Sequence, residues 1–129
     1  MRTFKLFSVI ALASALTAPF AQAAQTAFPE KPIRLVIGSA PGSGPDIISR
    51  ALADRLFAAW GQRIVVDNRP GADGVLGTEL AAKSPPDGYT LLMVNSGHTV
   101  NPAVFKKLPY DTVKDFAPVT LVAMIANLL

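Results

Sequence analysis

Ile33-Arg-Leu-Val-Ile37, the turn Gly38-Ser-Ala-Pro-Gly-Ser-Gly-Pro45 and the helical period from Asp46 to Trp60 form the stretch that decides the fold. The first five residues are apolar apart from Arg34, the pattern of a strand buried on both faces. Ile47, Ile48, Ala51, Leu52, Leu56, Ala59 and Trp60 then recur at helical spacing and predict an amphipathic helix ending near Gly61. Pro45 suits the first helical position, with Gly44 as its cap. Asp46 and Arg50 read as a charge pair on the helix's outer face.

The alternation continues outward from there. Arg63-Ile-Val-Val-Asp67 reads as a second strand, Asn68 to Gly74 as a loop, and Val75 to Lys83 as a shorter helix. Pro85-Pro-Asp-Gly88 forces a turn into a third strand, Tyr89 to Asn95. Asn101 and Pro102 suit the cap and first residue of a short helix through Lys106. Tyr110 to Phe116 is a connector, and Ala117 to Leu129 is apolar with β-branched residues. A β-α-β-α-β order predicts an α/β domain built on a parallel sheet with right-handed crossovers.

The N-terminus carries a different signal. Met1 to Lys5 is basic, Leu6 to Leu16 is almost wholly apolar, Pro19 breaks the run, and Ala21-Gln-Ala23 has the small-x-small form of a cleavage site. The apolar core falls short of the roughly 20 residues a membrane span requires. Residues 1–23 are therefore expected to be a signal peptide cleaved after Ala23, which directs the rest to the periplasm.

Composition narrows the function classes. Twelve Lys and Arg stand against nine Asp and Glu, but Arg2 and Lys5 lie in the leader, which leaves the mature chain near neutral. Such a chain has no basic field for nucleic acid. The chain has no cysteine, which excludes disulfides, thiolate zinc sites, a cysteine nucleophile and a lipidated terminus. No cofactor is expected. About a hundred mature residues suffice for one small domain.

In an open parallel sheet the ligand crevice lies beyond the carboxyl ends of the strands. Three loops leave those ends: Gly38 to Asp46, Asn68 to Gly74, and Asn95 to Asn101. The first combines glycines, which admit close backbone approach, with a helix start that offers free amides to an anion. An ordinary strand-to-helix turn has the same composition. Asp46 suits the first helical turn electrostatically and could equally meet an ammonium or bound water. Ser96, Thr99 and Asn101 are neutral donors that also suit turns and caps; Arg69 reads as a solvated loop arginine.

Named catalytic motifs fail. Ile47 stands where a dinucleotide loop needs its third glycine, and no Gly-Lys pair, nucleophile elbow or zinc-binding His pair occurs. His98, the single histidine, could join Ser43 and Asp46 in a small Rossmann-like hydrolase or phosphate-handling enzyme. Their spacing does not support that reading.

Several co-linear motifs resemble one family. Phe28-Pro-Glu-Lys-Pro-Ile-Arg-Leu-Val36, Ala40-Pro-Gly-Ser-Gly-Pro-Asp46, Val66-Asp-Asn-Arg-Pro-Gly-Ala-Asp-Gly74, Pro86-Asp-Gly-Tyr-Thr-Leu-Leu92 and Leu108-Pro-Tyr-Asp111 through Thr120 follow in the order and spacing of the tripartite tricarboxylate transporter substrate-binding proteins, the Bug family. The resemblance implies a Venus-flytrap periplasmic binding fold, of which residues 24–129 form the first domain and the second is missing. It implies a di- or tricarboxylate, acidic amino acid or aromatic acid held in the interdomain cleft, a membrane permease pair as partner, a monomer and no catalysis. On that pattern Ser39, Ala40, Gly42, Ser43, Gly44 and Asp46, with Ser96, Gly97, His98 and Thr99, line one wall. The chain departs from the family's usual Pro-Phe at Gly38-Ser39, its glycine at Ser43 and its threonine at Pro45. The apolar end reads as a truncation, either an incomplete record or a non-functional remnant, and half a cleft is expected to bind weakly or not at all.

Overall fold

The structure, a computed structural model, describes residues 28–124. The expected leader and its expected cleavage site, with residues 125–129, lie outside the described residues. Three strands form one parallel sheet in the order β2-β1-β3: β1 (Ile33–Ile37), β2 (Ile64–Asn68) and β3 (Thr90–Met93). Between and after them run α1 (Gly44–Trp60), a 3₁₀ turn (Ala72–Gly74), α2 (Val75–Ala82) and α3 (Gly97–Val104). The parallel α/β order read from the sequence is the one observed.

The central position of β1 explains its composition. Flanked by a strand on each side, it buries Ile33, Leu35, Val36 and Ile37, which make up most of the apolar core. Arg34 is the one charged residue in the run, and it lies two registers from Asp67 on β2. Arg34 donates through Nε to the Asp67 carboxylate at 2.8 Å, and Arg69 donates to the same carboxylate at 2.9 Å. Desolvation would raise the Asp67 pKa, but the two guanidinium groups outweigh it and carry it down.

Helix α1 begins one residue earlier than expected. Ser43, in extended conformation, holds the cap position, and Gly44 and Pro45 fall inside the first turn. The helix stops at Gly61, whose left-handed φ of 69° lets its amide donate to the Phe57 carbonyl at 2.8 Å. The buried face is displaced around the helix from the apolar stripe. It presents Asp46, Ser49 and Ala53 inward, while Ile47, Phe57 and Trp60 are exposed. The Asp46–Arg50 pair forms at 2.9 Å, but Asp46 is only 3% exposed and points into the protein, not outward.

The third helix differs most from expectation. Asn101 and Pro102 do not start it; they lie inside it. The start is set by Asn95, whose Oδ1 accepts from the Gly97 amide at 3.0 Å in a local side-chain turn. The Ser96 carbonyl then accepts from the Thr99 and Val100 amides. Ser96, Gly97, His98 and Thr99 therefore stand at a helix start, not in an open loop. Residues 117–124 form no strand, and Val119, Leu121 and Met124 are largely exposed.

Candidate functional site

The carboxyl ends of the three strands converge on one open cavity of about 220 Å³. Gly38 and Ser39 reach it from β1, Gly71, Asp73 and Gly74 from the loop after β2, and Val94 and Asn95 from β3. His98 and Asn101 close it from successive turns of α3. Its floor is backbone laid on backbone. A Cβ added to Gly38 would lie 2.6 Å from the Gly74 Cα, and one on Gly77 would lie 3.1 Å from the Gly38 Cα. Glycine at these places lets three segments meet without side chains between them.

Two of the ten expected site residues line this cavity, Ser39 and His98. The Ser39 carbonyl is held by the Asn68 amide at 3.1 Å. His98 packs parallel to Tyr110 and edge-on to Phe116, with ring centroids 6.1 and 5.4 Å away. Its Nε2 lies 3.3 Å from the Thr112 carbonyl, so that nitrogen carries the proton and donates. Nδ1 is left buried without a partner.

The first loop behaves differently from the anion site read in it. The negative charge at the start of α1 is the protein's own Asp46. Its carboxylate accepts from Arg50, from the Gly42 amide at 2.9 Å and from Asn68 Nδ2 at 3.0 Å. These bonds, Arg50's first among them, hold its pKa far below the usual carboxylate range. Gly42 is thus committed internally, and the Ser43 amide donates to the Ala40 carbonyl at 3.2 Å. Ala40, Gly42, Ser43, Gly44 and Asp46 hold the loop's shape and stand off the cavity wall. So do Ser96 and Thr99, which bond each other at 2.8 Å. Gly97 lies beside the wall, against Asp73 and Asn95.

Residues 48–129 match the tripartite tricarboxylate transporter family receptor. The chain belongs to that receptor family. A UPF0065 protein of Bordetella bronchiseptica is 46% identical over 112 residues, covering 86% of this chain and 33% of its own. MatC of Rhodopseudomonas palustris, solved with bound malate, is 34% identical with a TM-score of 0.69, over 74% of this chain and 33% of that one. A second Rhodopseudomonas palustris protein, solved with adipate, is 34% identical with a TM-score of 0.65, over 67% and 29%. The receptor chain spans about a third of the length of these relatives.

The family is one of solute receptors, not enzymes. The hydrolytic grouping also lacks its geometry. Asp46 is spent on Gly42, Arg50 and Asn68, while His98 bonds Thr112. No hydrogen bond joins Ser43, Asp46 and His98 among the described residues.

The second loop leaves a strand end as expected, although no expected site residue lies in it. That loop supplies Gly71, Asp73 and Gly74. The signal was its density of glycine around an acidic residue, the composition of a backbone turned toward a ligand. Asn101, expected as a donor or cap, is buried to 2% exposure on the cavity wall.

Proposed function

We propose that this chain forms one wall of a periplasmic solute receptor that captures a small carboxylate-bearing molecule and hands it to a membrane permease pair. The observation that carries this reading is the meeting of all three strand-end loops at one cavity, in a chain of this receptor family. Export would follow from the leader over residues 1–23, with cleavage after Ala23 and a monomeric product. Loop amides and the Ser39 hydroxyl would meet the carboxylate, while His98 Nδ1 and Asn101 Oδ1 would accept from donor groups elsewhere on the ligand. A second domain would supply the facing wall and close over the ligand by hinge motion.

The test is a titration of malate and of adipate onto the mature chain, followed by amide NMR shifts. One wall alone should bind weakly, with saturable shifts confined to Ser39, the Gly71–Gly74 loop and Asn95 to Asn101. Absence of shifts in all three loops up to saturating concentrations would sink the reading. Tight binding would instead overturn the requirement for a second wall.

His98→Ala checks the role of the imidazole separately. Loss of one hydrogen-bonding group should weaken binding by about three- to tenfold, without abolishing it. An affinity equal to wild type would place His98 outside the site.

A further inference from the structure

The cavity wall contains a negative charge that the protein leaves unneutralised. Asp73 lines it from a left-handed conformation, φ 52° and ψ 42°, between Ala72 at φ 47° and Gly74 at φ 84°. Its carboxylate lies against the bare Cα of Gly97, where an added Cβ would stand 3.0 Å from Oδ2. No hydrogen bond or ion pair engages that carboxylate among the described residues. Arg34 and Arg69 are committed to Asp67, and Arg50 to Asp46. The cavity lining contains no Lys or Arg.

Capping of α3 does not account for Asp73. The first amides of that helix are already taken: Gly97 donates to Asn95 Oδ1, His98 to the Asn95 carbonyl and Thr99 to the Ser96 carbonyl. A second acceptor stands on the same wall. Asn101, 2% exposed, donates through Nδ2 to the Asp73 carbonyl at 3.2 Å. That bond fixes which way the amide points and leaves Oδ1 buried with no donor. A buried acceptor without a donor is costly, and a carboxylate in a site without cations repels an anionic ligand.

We infer that the ligand is an amino-carboxylate whose protonated amine is held at Asp73 and Asn101, with its carboxylate turned toward the opposite loops. This rests on the carboxylate-receptor reading and narrows it: a plain dicarboxylate of the same length leaves Asp73 unopposed. The ammonium supplies the missing counter-charge and the missing donor together.

Glutamate and glutarate differ only in the amine and make a matched pair of probes. Titrated separately onto the mature chain and followed by amide shifts at pH 7, glutamate should bind about fivefold more tightly than glutarate. Asp73→Asn keeps a side chain that tolerates a left-handed backbone. It should bring the two ligands to within about twofold of each other. Equal or tighter binding of glutarate to the wild type overturns the inference, as does a glutamate preference that survives in Asp73→Asn. Should that variant fail to fold, the wild-type comparison still decides. Glutarate binding as well as glutamate would leave the carboxylate-receptor reading standing, whereas shifts from neither ligand would sink both.

Discussion

Gly77→Val should cost the domain about 2 kcal/mol and lower its melting midpoint by roughly 8–16 °C. Gly77 is buried in α2 and faces mainly backbone. A Cβ there would lie 3.1 Å from the Arg69 carbonyl oxygen, 3.1 Å from the Gly38 Cα and 3.3 Å from the Arg69 Cβ. A flexible side chain could swing away from such a contact, but two segments pinned in the sheet cannot. The Arg69 amide is bonded to the Ile37 carbonyl at 2.8 Å, so the obstacle is tied to β1 itself. Valine's two methyl groups would push α2 off the carboxyl end of β1 and open the Gly38–Gly74 approach beneath the cavity. Gly44→Ala is the control, since a Cβ added there meets nothing within 4 Å beyond its chain neighbours. In the first turn of α1 that change should alter stability by less than about 1 kcal/mol, since the entropy gained over glycine is offset by crowding against the following Pro45. Thermal melts of the three proteins check the pair. A Gly77→Val midpoint equal to wild type would show that α2 is not clamped at this point.

Much of the fold is legible because its signals are local. The apolar run of β1 stands out because a central parallel strand has no solvent face. The stop at Gly61 follows from a glycine closing a helical period, and the turn into β3 from Pro85, Pro86 and Gly88. The misread features depend on distant partners. An i,i+4 pair such as Asp46 and Arg50 has the same spacing whether it faces water or the interior. The inward direction is set by Asn68, 22 residues on, and by the Gly42 amide. Two asparagines could each begin the third helix. Asn95 does so because its side chain reaches the Gly97 amide, which leaves Asn101 free to bond the Asp73 carbonyl across the cavity wall. The left-handed pair Ala72 and Asp73 has little local signature, since alanine seldom adopts positive φ. Without that conformation nothing in the sequence places the Asp73 carboxylate at the cavity. The motifs of the family are legible throughout, and of the site residues they imply, Ser39 and His98 line the cavity.

Removing the Asp46 carboxylate should loosen the first loop and weaken ligand binding, although Asp46 does not line the cavity. In Asp46→Ala the Gly42 amide, the Asn68 amide and the Arg50 guanidinium lose an acceptor together. Asn68 also holds the Ser39 carbonyl, so slack at Asp46 is passed to a residue on the cavity wall. The melting midpoint at pH 7 should fall by roughly 5–10 °C in either Asp46→Ala or Asp46→Asn. Acid adds a second readout. The folded pKa of Asp46 lies below its unfolded value of 3.8, so its ionised form stabilises the fold above that pH. That contribution is lost as pH falls toward the folded pKa. The midpoint gap between wild type and Asp46→Asn should therefore hold steady from pH 7 to about 5 and narrow below about pH 4. Wild type should still weaken in acid beyond this gap, because Asp67, Asp87 and Asp111 are also shifted downward. A gap that instead widened on acidification would mean the carboxyl is stabilised in its protonated form. An absent gap at neutral pH would mean that the bonds to Arg50, Gly42 and Asn68 do not anchor the loop. In either case Ser39 would owe its place at the cavity to something other than Asp46.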